Sequence, residues 1–190
     1  MLVVGLFVGG RGRRLGGVAK GLLPAPGSAQ TLLERLVGEA RAALGEAELV
    51  LVGDAAAYSA SGLTAVDDAP RGVGPLGGLG GLLHHAQQRG ATHVLALACD
   101  LPYVSAPLLA RLATEAPGAA ALAAHGGGLR NPLVARYEVA RALPAVQSAL
   151  ASKKHALQAV LDALGAELLT MTEEETRSLH DWDTPEDVAR

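Results

Sequence analysis

Arg11, Arg13, Arg14 and Lys20 share one short segment with five glycines, Gly9, Gly10, Gly12, Gly16 and Gly17. The segment follows the apolar run Leu2-Val3-Val4-Gly5-Leu6-Phe7-Val8, which reads as a buried strand. Glycines let backbone N–H groups converge closely on a ligand, and arginine forks with a lysine add positive charge. Such a loop at the carboxyl end of a first strand suits a polyphosphate. Two familiar phosphate loops are excluded by spacing. No lysine here precedes Ser or Thr, as a Walker A loop requires. After Gly10 and Gly12, the third glycine of a dinucleotide fingerprint would fall at Leu15, and Gly16 comes one residue late. The competing reading is a glycine-rich surface turn with solvated arginines, and the preceding strand argues against it.

Acidic residues supply the complementary chemistry. Asp100 ends the apolar run His93-Val94-Leu95-Ala96-Leu97-Ala98-Cys99 and precedes Leu101-Pro102, so its carboxylate belongs at a sheet rim. A hard oxygen ligand beside a phosphate loop is what Mg2+ uses. The alternative role, capping a helix from Pro107, places Asp100 too early in the chain. Asp181 and Asp183 are candidates for a second acidic group, and Asp183 could equally cap a terminal helix opened by Thr184-Pro185. Lys20 and Arg14 could neutralise the β- and γ-phosphates of a nucleoside triphosphate as pyrophosphate leaves. Asp68 could accept hydrogen bonds from a base or sugar, or terminate its strand in an Asx-turn.

No nucleophile–base pair stands out. Cys99 beside Asp100 reads as a small buried residue, since a neighbouring carboxylate raises a thiol's pKa. His84 and His85 are adjacent, so on a helix they diverge and make a poor zinc pair. A triad is dispensable if the substrate brings its own nucleophile. A phosphomonoester, with a second pKa of about 6, is mostly dianionic near neutrality and can attack an α-phosphorus unaided. Alignment, a metal ion and cationic stabilisation are then all that the protein must supply.

These residues need a frame. After the loop, Thr31 caps a helical pattern that runs to Leu44. Glu48–Val52 reads as a buried strand and Leu63–Val66 as a brief one leading to Asp67-Asp68. Leu76–Arg89 reads as a helix whose glycines imply close packing on a sheet or ligand. A helix over Pro107–Leu112 follows the Asp100 turn. Ala119–Ala124 and Pro132–Tyr137 read as extended segments around a turn at His125-Gly126-Gly127-Gly128. Helices are expected over Glu138–Ser152 and Lys153–Leu164, then a last strand at Glu167–Thr170. Strands separated by helices imply an α/β fold: a mostly parallel sheet with helices on both faces, in three layers. In such sheets ligands bind at the carboxyl ends of strands, where the glycine loop, Asp67-Asp68 and Asp100 all fall.

Composition narrows the class. The 190 residues suit a single domain over 1–190, and 49% hydrophobic residues mark an ordinary globular chain. Aromatics are only 3%, so packing rests on Ala, Leu and Val. A net charge of −3 argues against nucleic acid or a membrane surface as partner. The apolar N-terminal run is too short to span a bilayer and lacks a basic leader. With one cysteine there is no internal disulfide, so a reducing, cytoplasmic location is expected.

The chain resembles the molybdenum cofactor guanylyltransferase (MobA) family of nucleotidyltransferases. The resemblance lies in Gly9-Gly10 through Lys20-Gly21-Leu22-Leu23, then Asp68 with Gly74-Pro75-Leu76-Gly77-Gly78-Leu79. Cys99-Asp100-Leu101-Pro102-Tyr103 and Asp183-Thr184-Pro185-Glu186-Asp187 complete it, in family order across nearly the whole chain. Ser105–His180 matches more loosely, apart from Arg130-Asn131-Pro132-Leu133 and Lys153-Lys154. The resemblance implies a Rossmann-like nucleotidyltransferase fold and transfer of GMP from GTP to molybdopterin, giving molybdopterin guanine dinucleotide and pyrophosphate. It implies main-chain nucleotide binding at Phe7, Val8, Gly9 and Gly10 and phosphate contact by Lys20, with Arg14 matching a loop arginine. Asp68 would read the nucleoside and Asp100 would bind Mg2+. Molybdenum-insertion proteins or target molybdoenzymes would be transient partners.

Four positions depart from the family pattern. Ala19 replaces the usual acid before the loop lysine, Asp181 and Asp183 stand where asparagine is common, and Gly53 replaces a polar, base-facing residue. Two alternatives stay open: a cytidylyltransferase acting on the same pterin, whose loop usually begins Ala-Ala-Gly, and a nucleotide-binding regulator without turnover.

Overall fold

The computed structural model describes residues 1–9, 11, 12, 17–126 and 128–182. Gly10 and Arg14 in the glycine loop lie outside the described residues, as do Asp183 and the helix expected from Thr184.

Strand β1 (Leu2–Phe7) is the buried apolar run expected from sequence. A two-residue ribbon follows, β2 (Arg11–Gly12) antiparallel to β3 (Val18–Ala19), and it delivers the chain into a short 3-10 turn at Lys20–Leu22. Helix α1 (Leu32–Leu44) starts at the expected cap: Thr31 Oγ1 accepts from Glu34 N while Glu34 closes the capping box. Strand β4 (Glu48–Val52), a 3-10 segment at Ala56–Ser61 and strand β5 (Thr64–Val66) come next. Helix α2 (Pro75–Gln88) leads to β6 (His93–Ala98) and helix α3 (Ala106–Thr114). A hairpin of β7 (Ala121–Gly126) and β8 (Leu129–Glu138) precedes α4 (Val139–Ala151), α5 (Leu157–Ala163), β9 (Glu167–Leu168) and α6 (Glu173–Ser178).

Among the described residues the main sheet runs β5-β4-β1-β6-β8-β7-β9. The pairs β4–β5, β1–β4, β1–β6 and β7–β9 are parallel, whereas β8 runs antiparallel to both β6 and β7. The sheet is therefore mixed on one side and purely parallel on the other.

Strand alternation divides the interior into two cores, because successive side chains leave a strand on opposite faces. Val3, Val50, Val52, Val94 and Ala96 pack with α2, α4 and α5. Val4, Leu6, Leu49, Leu51, Leu95 and Leu97 pack with α1 and α3. This is the expected three-layer arrangement. Gly5 lets α2 lie close on β1: a Cβ there would meet Leu82 Cδ2 at 2.4 Å. Among the described residues no helix is long and apolar enough to cross a membrane.

The expected helix over Lys153–Leu164 is shorter and starts only at Leu157. Lys153 sits in the left-handed region at φ 54°, and the Lys154 N–H closes onto the Ala149 carbonyl. That geometry terminates α4 in the manner of a helix C-cap, so the two lysines belong to a connection rather than a helix start. Helix α6 was not anticipated, although Thr172-Glu173-Glu174-Glu175 carries its capping-box signature.

Candidate active site

Four glycine contacts shape the carboxyl edge of the parallel strands. Gly53 has φ 98°, and a Cβ there would meet Gly9 Cα at 3.1 Å and Gly9 N at 3.2 Å. The ends of β1 and β4 approach this closely only with glycine on the β4 side, so Gly53 has a packing role. In α2, a Cβ on Gly77, Gly80 or Gly81 would meet the carbonyl oxygens of Pro70, Ala69 or Asp67 at 2.3, 2.3 and 2.1 Å. The Asp67–Pro70 segment thus lies directly on the helix, and Asp68 is carried to the rim. The close packing expected of this glycine-rich helix is made with backbone at Gly77, Gly80 and Gly81, and with side chains at Gly78.

Lys20 is set by a different device. The Gly21 N–H donates to the Tyr58 hydroxyl at 3.1 Å, and a Cβ on Gly21 would lie 2.9 Å from the Tyr58 ring. Tyr58 is 2% exposed, and burial, with nearby Cys99 adding, pushes its phenol up to about 12. It stays neutral and fixes the turn that begins at Lys20. The Lys20 Nζ lies 2.8 Å from Asp100 Oδ2, with side-chain exposures of 13% and 21%. The loop lysine and the rim carboxylate, eighty positions apart in sequence, form a half-buried ion pair. Sequence reasoning missed Tyr58, for a single tyrosine in a loop carries no local signature.

A cleft of about 360 Å3 opens at this edge. Phe7, Val8, Gly9, Lys20, Asp68 and Asp100 all line it, so each described residue expected at the nucleotide site converges there. Gly74, Pro75 and Gly78 line it as well, which places the N-terminus of α2 at the cleft wall. The N–H groups and dipole at the start of a helix attract anions. Gly78 is needed for room, since a Cβ there would approach the Phe7 ring at 2.8 Å. Burial, reinforced by neighbouring Asp67, raises the pKa of Asp68 above its ordinary value. Cys99 is inert as a nucleophile: burial, and then the adjacent Asp100, push its thiol up to about 12.

The C-terminal segment completes the wall. The Trp182 N–H donates to the Asp100 carbonyl at 2.9 Å, and Leu179 and Asp181 line the cleft. Asp181, one of the two acidic candidates in that segment, therefore reaches the site. Leu179, Asp181 and Asn131 also line a second cavity of about 620 Å3 next to the first. Arg130, Arg177, Tyr103 and Trp182 contribute to this second cavity. Lys153 and Lys154 line neither space. Among the described residues no three His, Cys, Asp or Glu side chains form a preformed metal cluster.

The MobA-like NTP transferase domain matches residues 5–168. The chain belongs to the MobA-like NTP transferase family. Among similar proteins in this family, a molybdenum cofactor guanylyltransferase of Acidiphilium cryptum is 36% identical over 138 residues, covering 72% of this chain and 67% of that protein. The molybdenum cofactor guanylyltransferase of Serratia proteamaculans is 30% identical over 187 residues, covering 97% of this chain and 91% of that protein. The crystal structure of molybdopterin-guanine dinucleotide biosynthesis protein A from Archaeoglobus fulgidus superposes with a TM-score of 0.77 at 23% identity, covering all of this chain and 95% of that one. The 2-C-methyl-D-erythritol 4-phosphate cytidylyltransferase of Thermus thermophilus superposes at 0.70 with 20% identity, over 100% and 96% of the two chains. The MobA-like frame is thus one on which proteins named for different bases are built, and the fold alone does not choose among them.

Proposed function

We propose that this chain is a molybdenum cofactor guanylyltransferase, transferring GMP from GTP to the terminal phosphate of molybdopterin and releasing pyrophosphate. The observation that carries the reading is the Lys20–Asp100 pair, seated in the cleft beside Gly9 and the start of α2. The names of the Acidiphilium and Serratia relatives support the choice of base and acceptor. In this reading Lys20 leaves Asp100 for the triphosphate, and the α2 N-terminus adds its N–H groups and dipole. The main chain from Phe7 to Gly10 lies along the nucleotide, with Arg14 on the phosphates and Asp68 at the nucleoside.

Asp100 is the residue assigned to Mg2+, with Asp183 as the second acidic group. The donor set fits this ion. Mg2+ takes hard oxygen ligands and commonly uses one or two carboxylates, completing its shell with water and substrate phosphates. A rim carboxylate facing the cleft, as Asp100 does, suits that arrangement. When bound, Mg2+ would neutralise charge on the triphosphate.

The acceptor would occupy the cavity beyond Asn131 and Asp181, where Arg177 favours an anion, Arg130 is paired with Asp162, and Trp182 and Tyr103 offer flat apolar surface. Its phosphate dianion attacks the α-phosphorus. One P–O bond forms as the bond to the departing pyrophosphate breaks, and no protein base is required. The lone, buried cysteine accords with a cytoplasmic location. Transient contact with molybdenum-insertion proteins or target molybdoenzymes belongs to the same proposal.

Purified protein incubated with Mg2+, molybdopterin and GTP, CTP or ATP in turn tests it by pyrophosphate release. Release with GTP alone is the expected result. A preference for CTP would make the enzyme a cytidylyltransferase, and tight nucleotide binding without release would make it a regulator.

A further inference from the structure

The second cavity owes one wall to a residue that touches neither cavity. Arg111, near the end of α3, directs all three of its guanidinium nitrogens at three partners. Its Nε donates to Glu115 Oε1 at 2.6 Å, its Nη2 to the Thr170 carbonyl at 2.6 Å, and its Nη1 to both oxygens of Glu175 at 2.7 and 2.8 Å. Glu175 has two tasks. The carboxylate that Arg111 grips also accepts from the Thr172 N–H at 2.8 Å, closing the capping box that starts α6. One side chain therefore both starts α6 and ties it to α3.

What α6 delivers is the partition between the two cavities. Thr176, Arg177, Leu179, His180, Asp181 and Trp182 line the second cavity, and Leu179 and Asp181 face the first as well. The far end of this stretch is pinned by Trp182, which is 3% exposed, packs with Ala25 and Leu32, and donates to the Asp100 carbonyl. The near end is held by the Arg111–Glu175 clasp. A six-residue helix is too short to hold itself in water, so its place depends on these tertiary ties.

We infer that Arg111 is a positioning residue for the acceptor: through Glu175 it sets the wall between the nucleotide cleft and the second cavity. The inference rests on the acceptor placement proposed above. It separates two kinds of binding energy. Arg111, Glu115, Thr170 and Glu175 do not line the cleft that holds Lys20, Asp68 and Asp100, whereas the stretch that Glu175 starts lines most of the wall facing the acceptor.

The test uses Arg111→Met, which keeps an apolar stem, and Glu175→Gln, which keeps a capping group but loses the charge pair. Exposed Arg41→Met serves as control. In steady-state assays with GTP and molybdopterin, the KM for molybdopterin should rise about tenfold, the equivalent of ~1.4 kcal/mol, while the KM for GTP stays within about twofold. Arg111→Lys keeps the charge without the fork and should recover part of the loss. Because Trp182 is the single tryptophan, acrylamide quenching of its emission reports the wall directly and needs no substrate. Quenching should increase in Arg111→Met and Glu175→Gln and stay unchanged in Arg41→Met. Equal rises in both KM values, or a lowered melting temperature with the molybdopterin KM and the quenching unaltered, would overturn the inference and leave Arg111 a structural tie. If Arg111→Met does not fold, Glu175→Gln carries the test. Absence of turnover in the wild-type protein would defeat the functional reading instead, and the quenching result would still decide whether the clasp sets the wall.

Discussion

The two halves of the sheet are built to different logics. On the β5-β4-β1-β6 side every strand pair is parallel, and the lining residues arrive at the cleft simply by following a strand end: Gly9 after β1, Gly53 after β4, Asp68 after β5, Asp100 after β6. On the β8-β7-β9 side the hairpin is antiparallel, and the cleft is lined from there by Asn131 and Leu133, and by Leu179 and Asp181 after a short helix tied across 64 residues to α3. The parallel half gathers charge by local chain direction. The antiparallel half sets a wall by long-range bonds. The charged side chains and the enclosing wall of one cleft thus have separate structural origins, and variants of each can be tested separately.

The largest expected effect tests the chemical half. Asp100→Ala and Lys20→Ala should each lower pyrophosphate release with GTP by roughly 10²–10³-fold, the range for removing one preorganised charge from a reacting centre. The double variant should fall little further than the worse single, because the two groups act as a pair. Circular dichroism should show the fold retained. Full activity in Asp100→Ala would remove that carboxylate from the site and with it the contrast between the halves.

Much of the parallel half was legible because its information is local. Continuous apolar runs gave β1, β4 and β6 within a residue, the Thr31 cap marked α1, and the glycines of α2 announced close packing. That Lys20 and Asp100 share one cleft followed from strand-end placement; their direct ion pair did not. What escaped notice was held by tertiary contact. Tyr58 matters through one hydrogen bond to Gly21, which no spacing rule encodes. Arg136 sits 2% exposed in β8, where a charge would be expected at the surface. It lies inside because it donates to the carbonyls of Leu112, Ala113 and Ala116, closing the end of α3. The break at Lys153 depends on a non-glycine residue taking a left-handed turn, against its own preference. Only α6 was readable and missed.

A smaller effect sharpens the contrast at two glycines. Gly81 in α2 faces the Asp67 carbonyl, where a Cβ would stand 2.1 Å away, while Gly38 in α1 has open space around its Cβ position. Gly81→Ala must push the Asp67–Pro70 segment off its helix and should cost about 1–3 kcal/mol. Because Asp68 rides on that segment, nucleotide affinity should fall too. Gly38→Ala should stabilise by about 0.5–1 kcal/mol through helix propensity alone, with GTP affinity unchanged. Urea unfolding with nucleotide titration measures both. A tolerated Gly81→Ala would mean that the rim does not need its glycine contact.

The smallest effect uses one carboxylate from each half, shifted in opposite directions. Burial acts to raise the Glu175 pKa, but the Thr172 N–H and Arg111 outweigh it and hold the group below its ordinary 4.5. A carboxyl lowered in the folded state stabilises the fold above its unfolded value, and that contribution disappears as pH falls through the folded one. Wild type should therefore be more stable than Glu175→Gln at pH 7, with the gap closing only as the pH drops below 4.5. Asp68 has the reverse sign. Burial, then Asp67, raises it above 3.8, so ionising it opposes folding once the pH exceeds that value. Asp68→Asn should be slightly more stable than wild type at pH 7 and should lose that advantage below 3.8. Thermal melts of the three proteins across pH 3–7 decide the matter. The wall clasp should lose stability in acid, whereas the Asp68 rim should lose it as the pH climbs, because Asp68 there carries a charge that burial disfavours.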